Sequence, residues 1–216
     1  KQLTEAVRAG ILQAGGVPIE FGGYGGCPIS LGENGHRYDT PSRDIMAMDV
    51  ETCAQLHAFD GLVLLSGCDK NVPAHLLAAA RINLPTIIVV GGPMQSGRFQ
   101  QRNVDMSDLD PFSWRCETNP ENVDYENVQE MTECLCPGPG SCALLGTANT
   151  MQCITEAMGM ALPGNATTCA GTSSLIRLAK RAGRRIVELV DQDIKARDIM
   201  TPEAMENGIH VLHAIG

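Results

Sequence analysis

Three loops containing glycine or proline carry cysteines of this sequence, where a side chain can serve chemistry rather than packing. Cys27 closes Gly22-Gly23-Tyr24-Gly25-Gly26-Cys27-Pro28, Cys68 lies in Ser66-Gly67-Cys68-Asp69-Lys70, and Cys142 ends Cys136-Pro137-Gly138-Pro139-Gly140-Ser141-Cys142. Thiolates favour iron–sulfur clusters, zinc or copper(I), whereas carboxylates favour magnesium or manganese. Cys68-Asp69-Lys70 sets a soft ligand, a hard ligand and an amine side by side, which suggests two different metal centres meeting in one pocket. The plainer alternative is a half-buried core cysteine followed by a solvated Asp–Lys pair.

The other patterns are weaker. Cys134-Leu135-Cys136 with Cys142 resembles part of a zinc knuckle. Its spacing is not a standard zinc pattern, and a fourth ligand would have to come from His36, His57, His75, His210 or His213. Glycine-rich loops can cradle phosphate, but no Gly-Lys-Ser/Thr follows, so a Walker-type site is unsupported. Cys27 could be a nucleophile only with a base and an orienting group that sequence does not place. Cys53 and Cys153 fall inside helical patterns and read as small core residues.

Composition narrows the classes further. A net charge of −9 argues against nucleic-acid backbone binding, which needs clustered Lys and Arg. No apolar run is long enough to span a membrane. Nine cysteines in 216 residues is an odd count in a chain too long for a typical secreted disulfide framework. The thiols are therefore expected to be mostly reduced. The first and last residues carry neither an initiator sequence nor a polar tail, so the chain reads as a fragment.

These loops need elements to hold them. Leu3, Val7, Ile11 and Ala14 recur at helical spacing, Gly15-Gly16 ends that helix, and Val17 to Phe21 reads as a short strand. Thr40-Pro41 predicts a helix start with Thr as N-cap, running to about Phe59. Leu62–Leu65 and Thr86–Val90 are short apolar runs suited to buried parallel strands, with a helix between them over Val72 to Ile82. The fold class is thus α/β with a mainly parallel sheet flanked by helices. Cys68 then lies at the carboxyl end of a strand, where open α/β sheets bind ligands. Residues 95–133 read as a polar excursion with some helix near Tyr125 to Cys134. Helices are predicted around Met151 to Ala161, over Thr172 to Val190, and from Thr201-Pro202.

Four segments in order resemble one family, the dihydroxy-acid and 6-phosphogluconate dehydratases, which include aldonate (sugar-acid) dehydratases. They are Tyr38-Asp39-Thr40-Pro41-Ser42-Arg43-Asp44; Asp60-Gly61 through Gly67-Cys68-Asp69-Lys70-Asn71-Val72-Pro73; Asn83-Leu84-Pro85 through Gly91-Gly92-Pro93-Met94; and Gly140-Ser141-Cys142 through Thr147-Ala148-Asn149-Thr150-Met151, continuing to Leu162-Pro163-Gly164. The resemblance covers nearly the whole chain.

It implies that residues 1–216 form the N-terminal α/β domain of a two-domain hydro-lyase. That enzyme converts a 2,3-dihydroxy acid, branched-chain or aldonate, to a 2-keto acid. It implies an iron–sulfur cluster, [2Fe–2S] or [4Fe–4S], held by three cysteines. Two of them map to Cys68 and Cys142, and the third lies upstream of this chain. It also implies magnesium on Asp69, on Lys70 (often carbamylated in the family), and on a loop aspartate whose position is held here by Cys27. A thiolate is a poor substitute for a carboxylate on a hard ion, which marks a divergent member. The run Ala143-Leu144-Leu145-Gly146 also departs from the family pattern. The general base is expected from a serine in a C-terminal β-rich domain. A small-molecule substrate, a homo-oligomer (dimer or tetramer) and a cytoplasmic or organellar-matrix location complete the expectation. A non-catalytic relative that keeps the scaffold for interaction or regulation is the competing reading. A third, an electron-transfer iron–sulfur protein, would require four cluster cysteines.

Overall fold

The structure is a computed structural model and describes residues 1–25, 35 and 37–216. The expected strand–helix–strand unit is present. Strand β1 (Leu62–Ser66) pairs in parallel with β2 (Thr86–Val90), Leu62 opposite Thr86 and Ser66 opposite Val90. Helix α3 (Asn71–Ile82) crosses between them, after α1 (Gln2–Gln13) and α2 (Asp39–Leu56).

Alternation along the two strands builds a layer on each face. Leu62, Leu64, Ile88 and Val90 face one core with Ala47, Val50 and Ala54 of α2 and Leu76, Ala78 and Ala79 of α3. Met158 and Met160, after α6 (Thr147–Ala157), close the same core. Ile87 and Val89 face a second core built from α1 and α7 (Ser173–Asp191), through Ala6, Val7, Ala179, Ala182, Ile186 and Leu189. Helix–sheet–helix layering follows directly from a sheet buried on both faces. Truncating fully buried Ile88 to alanine is expected to cost about 2–5 kcal/mol. Helices α1 and α7 cross so closely that a β-carbon at Gly10 or Gly183 would overlap the opposing backbone.

The free edge of β2 is closed without another strand. Ile88 N–H donates to Met160 O at 2.8 Å. Fully buried Asn165 then pairs with Val90 like a strand residue, accepting at Oδ1 (3.0 Å) and donating from Nδ2 to Val90 O (2.9 Å).

Three expectations are corrected. Val17 to Phe21 forms no strand and has no ladder partner among the described residues, and Val17 is 84% exposed. An open cleft of about 850 Å³ separates this stretch from β1. Helix α2 starts at Asp39 with Tyr38 as its cap, so Thr40 is not the N-cap, and it ends at Leu56 rather than Phe59. Within 95–133, a small antiparallel hairpin, β3 (Gly97–Phe99) and β4 (Arg102–Val104), and α4 (Asp110–Thr118) precede the expected helix α5 (Tyr125–Cys134). The chain closes with α8 (Ala196–Ile199) and α9 (Pro202–Ile215), the latter capped by Thr201 as expected. Among the described residues no helix is long and apolar enough to cross a membrane.

Candidate cation and thiolate site

At the carboxyl end of β1 the backbone leaves the sheet at Ser66 and turns into α3 within four residues, Gly67 to Lys70. Asn71, the first residue of α3, shapes the turn. Its Oδ1 accepts from Cys68 N–H at 2.8 Å and from Gly67 N–H at 3.2 Å. Beneath the turn, buried Ser66 Oγ is hydrogen-bonded to His75 Nδ1 at 2.5 Å. Burial pushes the His75 pKa down to about 4, so the ring is neutral at physiological pH.

Cys68, Asp69 and Lys70 are linked to one another by polar contacts at the strand end. Cys68 Sγ donates to Asp69 Oδ1 at 3.3 Å, and Asp69 Oδ2 lies 3.1 Å from Lys70 Nζ. A second carboxylate, Asp39 of α2, reaches the same ammonium at 2.9 Å. Burial pulls the Lys70 pKa down, but the hydrogen bonds and charges of Asp39 and Asp69 outweigh it and hold the amine above its ordinary value. Among the described residues, buried Asp39 Oδ1 has no hydrogen-bond partner. Sequence reading quoted Asp39 only as part of a motif. The available signal was an acidic residue just ahead of Pro41, in the first turn of a helix, where a negative charge is favoured.

Cys142 is held differently. Ser141 N–H donates to Gly92 O at 3.0 Å, and Met94 N–H donates to Ser141 O at 2.8 Å, so Ser141 runs beside the continuation of β2. That continuation also touches the first loop, because Gly91 N–H donates to Ser66 O at 2.6 Å. The stretch 91–94 therefore connects the Cys68 loop to the Cys142 loop. Glycine is required at this junction: a β-carbon on Gly92 (φ +73°) would overlap Thr168 O, and one on Gly140 (φ +125°) would lie 2.6 Å from Met94 N. Behind Cys142, buried Asn149 of α6 donates from Nδ2 to Cys142 O (2.8 Å) and Leu144 O (2.6 Å). Buried Gln152 donates to Ser141 Oγ at 3.0 Å. Neither Asn149 nor Gln152 was singled out from sequence.

Cys27, with Gly26, Pro28 and His36, lies outside the described residues. Among the described residues no three His, Cys, Asp or Glu side chains gather as a metal-binding group. Cys134 instead packs against the satellite core of Val104, Met131 and Leu135, while Cys136 is exposed with its sulfur 3.9 Å from Met106 Sδ. Burial and the charge of Glu156 raise the Cys153 thiol pKa, in keeping with a packing role. The large cleft beside β1 is lined by residues such as Val7, Ile11, Phe59 and Val187, and by none of Cys68, Asp69, Lys70 and Cys142.

Of the ligands that the resemblance implies, Asp69 is the donor type for a hard divalent cation, and Lys70, held as an ammonium between Asp39 and Asp69, would join it only after losing its charge. The thiols of Cys68 and Cys142 are the donor type for iron–sulfur ligation.

Comparison with known proteins supplies the same direction. This chain is 47% identical over 216 residues to a dihydroxy-acid dehydratase of Acetivibrio thermocellus. It is 44% identical over 217 residues to one of Methanobrevibacter smithii, and 46% over 217 to one of Methanococcus maripaludis. Each alignment covers 100% of this chain and 39% of the relative, so the chain spans about two-fifths of the length of these proteins. Residues 1–216 match the family described as Dihydroxy-acid/6-phosphogluconate dehydratase N-terminal, and the chain belongs to that family.

Proposed function

We propose that this chain supplies the cation and thiolate side of a hydro-lyase that removes water from a 2,3-dihydroxy carboxylic acid to give a 2-keto acid. The observation that carries the reading is the convergence of Cys68, Asp69 and Lys70 at a parallel strand end that is tied through residues 91–94 to the Cys142 loop. The relatives' names favour a dihydroxy acid over a sugar acid as substrate.

In this reading Cys68 and Cys142 hold an iron–sulfur cluster, [2Fe–2S] or [4Fe–4S], with a further cysteine from outside the chain. Asp69 and Lys70 hold magnesium, with Cys27 at the position of a third ligand. When bound, these groups supply Lewis acidity to the departing C3 hydroxyl and to the substrate carboxylate. The protein's own part is positioning. Asn71 and Asn149 fix the backbones that carry the two thiols, and the neutral His75 under Ser66 leaves no buried charge beneath the cluster-bearing loop. A base outside this chain takes the C2 proton, hydroxide leaves C3 and is protonated to water, and the enol becomes the 2-keto acid. A homo-oligomer in the cytoplasm, or in an organellar matrix, accompanies the proposal.

The test is iron and sulfide analysis of the full-length protein purified without oxygen, alongside 2-keto acid release from a 2,3-dihydroxy acid. Both are expected in the wild type and both are expected to fall in Cys68→Ser and Cys142→Ser. A well-folded full-length protein carrying no iron and no sulfide would favour the non-catalytic reading instead.

A further inference from the structure

We infer that the outer apolar stripe of α9 is a docking surface within the full-length protein, covered by the chain that follows α9 as it folds back along the helix. The inference is independent of the cation and thiolate reading and rests on family membership alone.

Helix α9 has three sides. Ala204 and Gly208 are buried where the helix packs on α6. The fit there is close, since a β-carbon on Gly208 would lie 3.2 Å from both Ile154 Cγ2 and Met158 Cγ. Exposed Glu203, Glu206 and His210 make a polar side. Between the two run Met205, Ile209 and Leu212, which are 41%, 52% and 41% exposed. Their spacing of four and then three residues sets them in one line along the helix. Single exposed apolar residues are ordinary on a protein surface. A line of three beside an already buried side is the pattern of a helix packed on two sides.

The comparisons say what lies within reach of that line. The matching family region is N-terminal, and this chain covers 39% of the Acetivibrio thermocellus relative, which leaves 61% of that protein's length to other residues. Consecutive elements are usually neighbours in space, and helix connections in compact domains are short. The element after α9 therefore meets the stripe at little cost in chain entropy, whereas a second copy would lose its translational and rotational freedom to do so. No charge interrupts Met205, Ile209 and Leu212, so the side of the occupant that faces them is apolar as well.

The experiment labels full-length Ile209→Cys and His210→Cys with N-ethylmaleimide under native conditions, read by mass spectrometry on the α9 peptide, which has no cysteine of its own. The thiol at 209 is expected to react at least about tenfold more slowly than the one at 210, because it is reached only through local opening. That ratio should not change when the protein is diluted. If Ile209→Cys melts early by circular dichroism, Leu212→Cys takes its place with the same expectation. Equal rates at the two positions would overturn the inference and leave the stripe in water. Protection at 209 that disappears on dilution would also overturn it, since the occupant would then be a second copy.

Discussion

At the Cys68 loop an asparagine accepts, and at the Cys142 loop an asparagine donates. Asn71 Oδ1 takes the N–H groups of Gly67 and Cys68, whereas Asn149 Nδ2 gives its hydrogens to the carbonyls of Cys142 and Leu144. The surroundings differ as well. The first loop stands among titratable groups, His75 below it and Lys70 between two carboxylates beside it. The second is held by the neutral side chains of Ser141, Asn149 and Gln152. Two thiol-bearing loops thus keep their shape by opposite hydrogen-bond polarity, and only one of them should respond to pH.

The sharpest way to break this comparison is the isosteric exchange of each asparagine for aspartate. Asn149→Asp removes both donors and turns a buried carboxylate toward two carbonyls, and we expect a loss of about 3–5 kcal/mol in urea melts. The pH contrast comes next. Folded His75 stays neutral down to about pH 4, while unfolded histidine takes up a proton near 6.5. Between those values the unfolded state binds the extra proton, so stability is complete above about pH 6.5 and falls as pH drops toward 4, by at most about 3 kcal/mol. His75→Gln should flatten that slope, and no change in it would show that the loop's pH dependence lies elsewhere. Smaller again, Asn71→Asp keeps the acceptor at a helix N-terminus and is expected to shift stability by less than about 1 kcal/mol. Asn71→Leu, which loses both bonds, should cost about 1–3 kcal/mol. Equal effects of aspartate at positions 71 and 149 would end the distinction. The smallest effect concerns thiol access in the apoprotein. Exposed Cys136 should react with a maleimide before Cys142, as mass spectrometry of timed samples would show.

How much of this the sequence discloses depends on where the determining contacts lie. The β1–α3–β2 unit was legible because its apolar runs are local and uninterrupted, and it placed Cys68, Asp69 and Lys70 at a strand end. Asp39 was not legible, since its place beside Lys70 comes from the packing of α2 along α3, and Thr40-Pro41 suggested a different cap. The β3–β4 hairpin escaped because Gln100 and Gln101 make its turn at φ +44° and +65°, where sequence reading looks for glycine or asparagine. Val17 to Phe21 carried a strand composition, but composition does not supply a partner. The roles of Asn71 and Asn149 depend on backbone groups that only a folded loop presents to them.

The glycine junction at residues 92 and 140 has a consequence for how this protein can vary. Both positions combine a left-handed backbone with an opposing main chain where a side chain would have to go, so nearly every substitution fails there for two reasons at once. Gly138, two residues away, has nothing within 4 Å of the place a β-carbon would occupy. In a saturation library, Gly92 and Gly140 should therefore be almost silent in the surviving population while Gly138 accepts many residues. The loop can explore new surface chemistry at its tip while its anchor holds Ser141, and the thiol after it, in register.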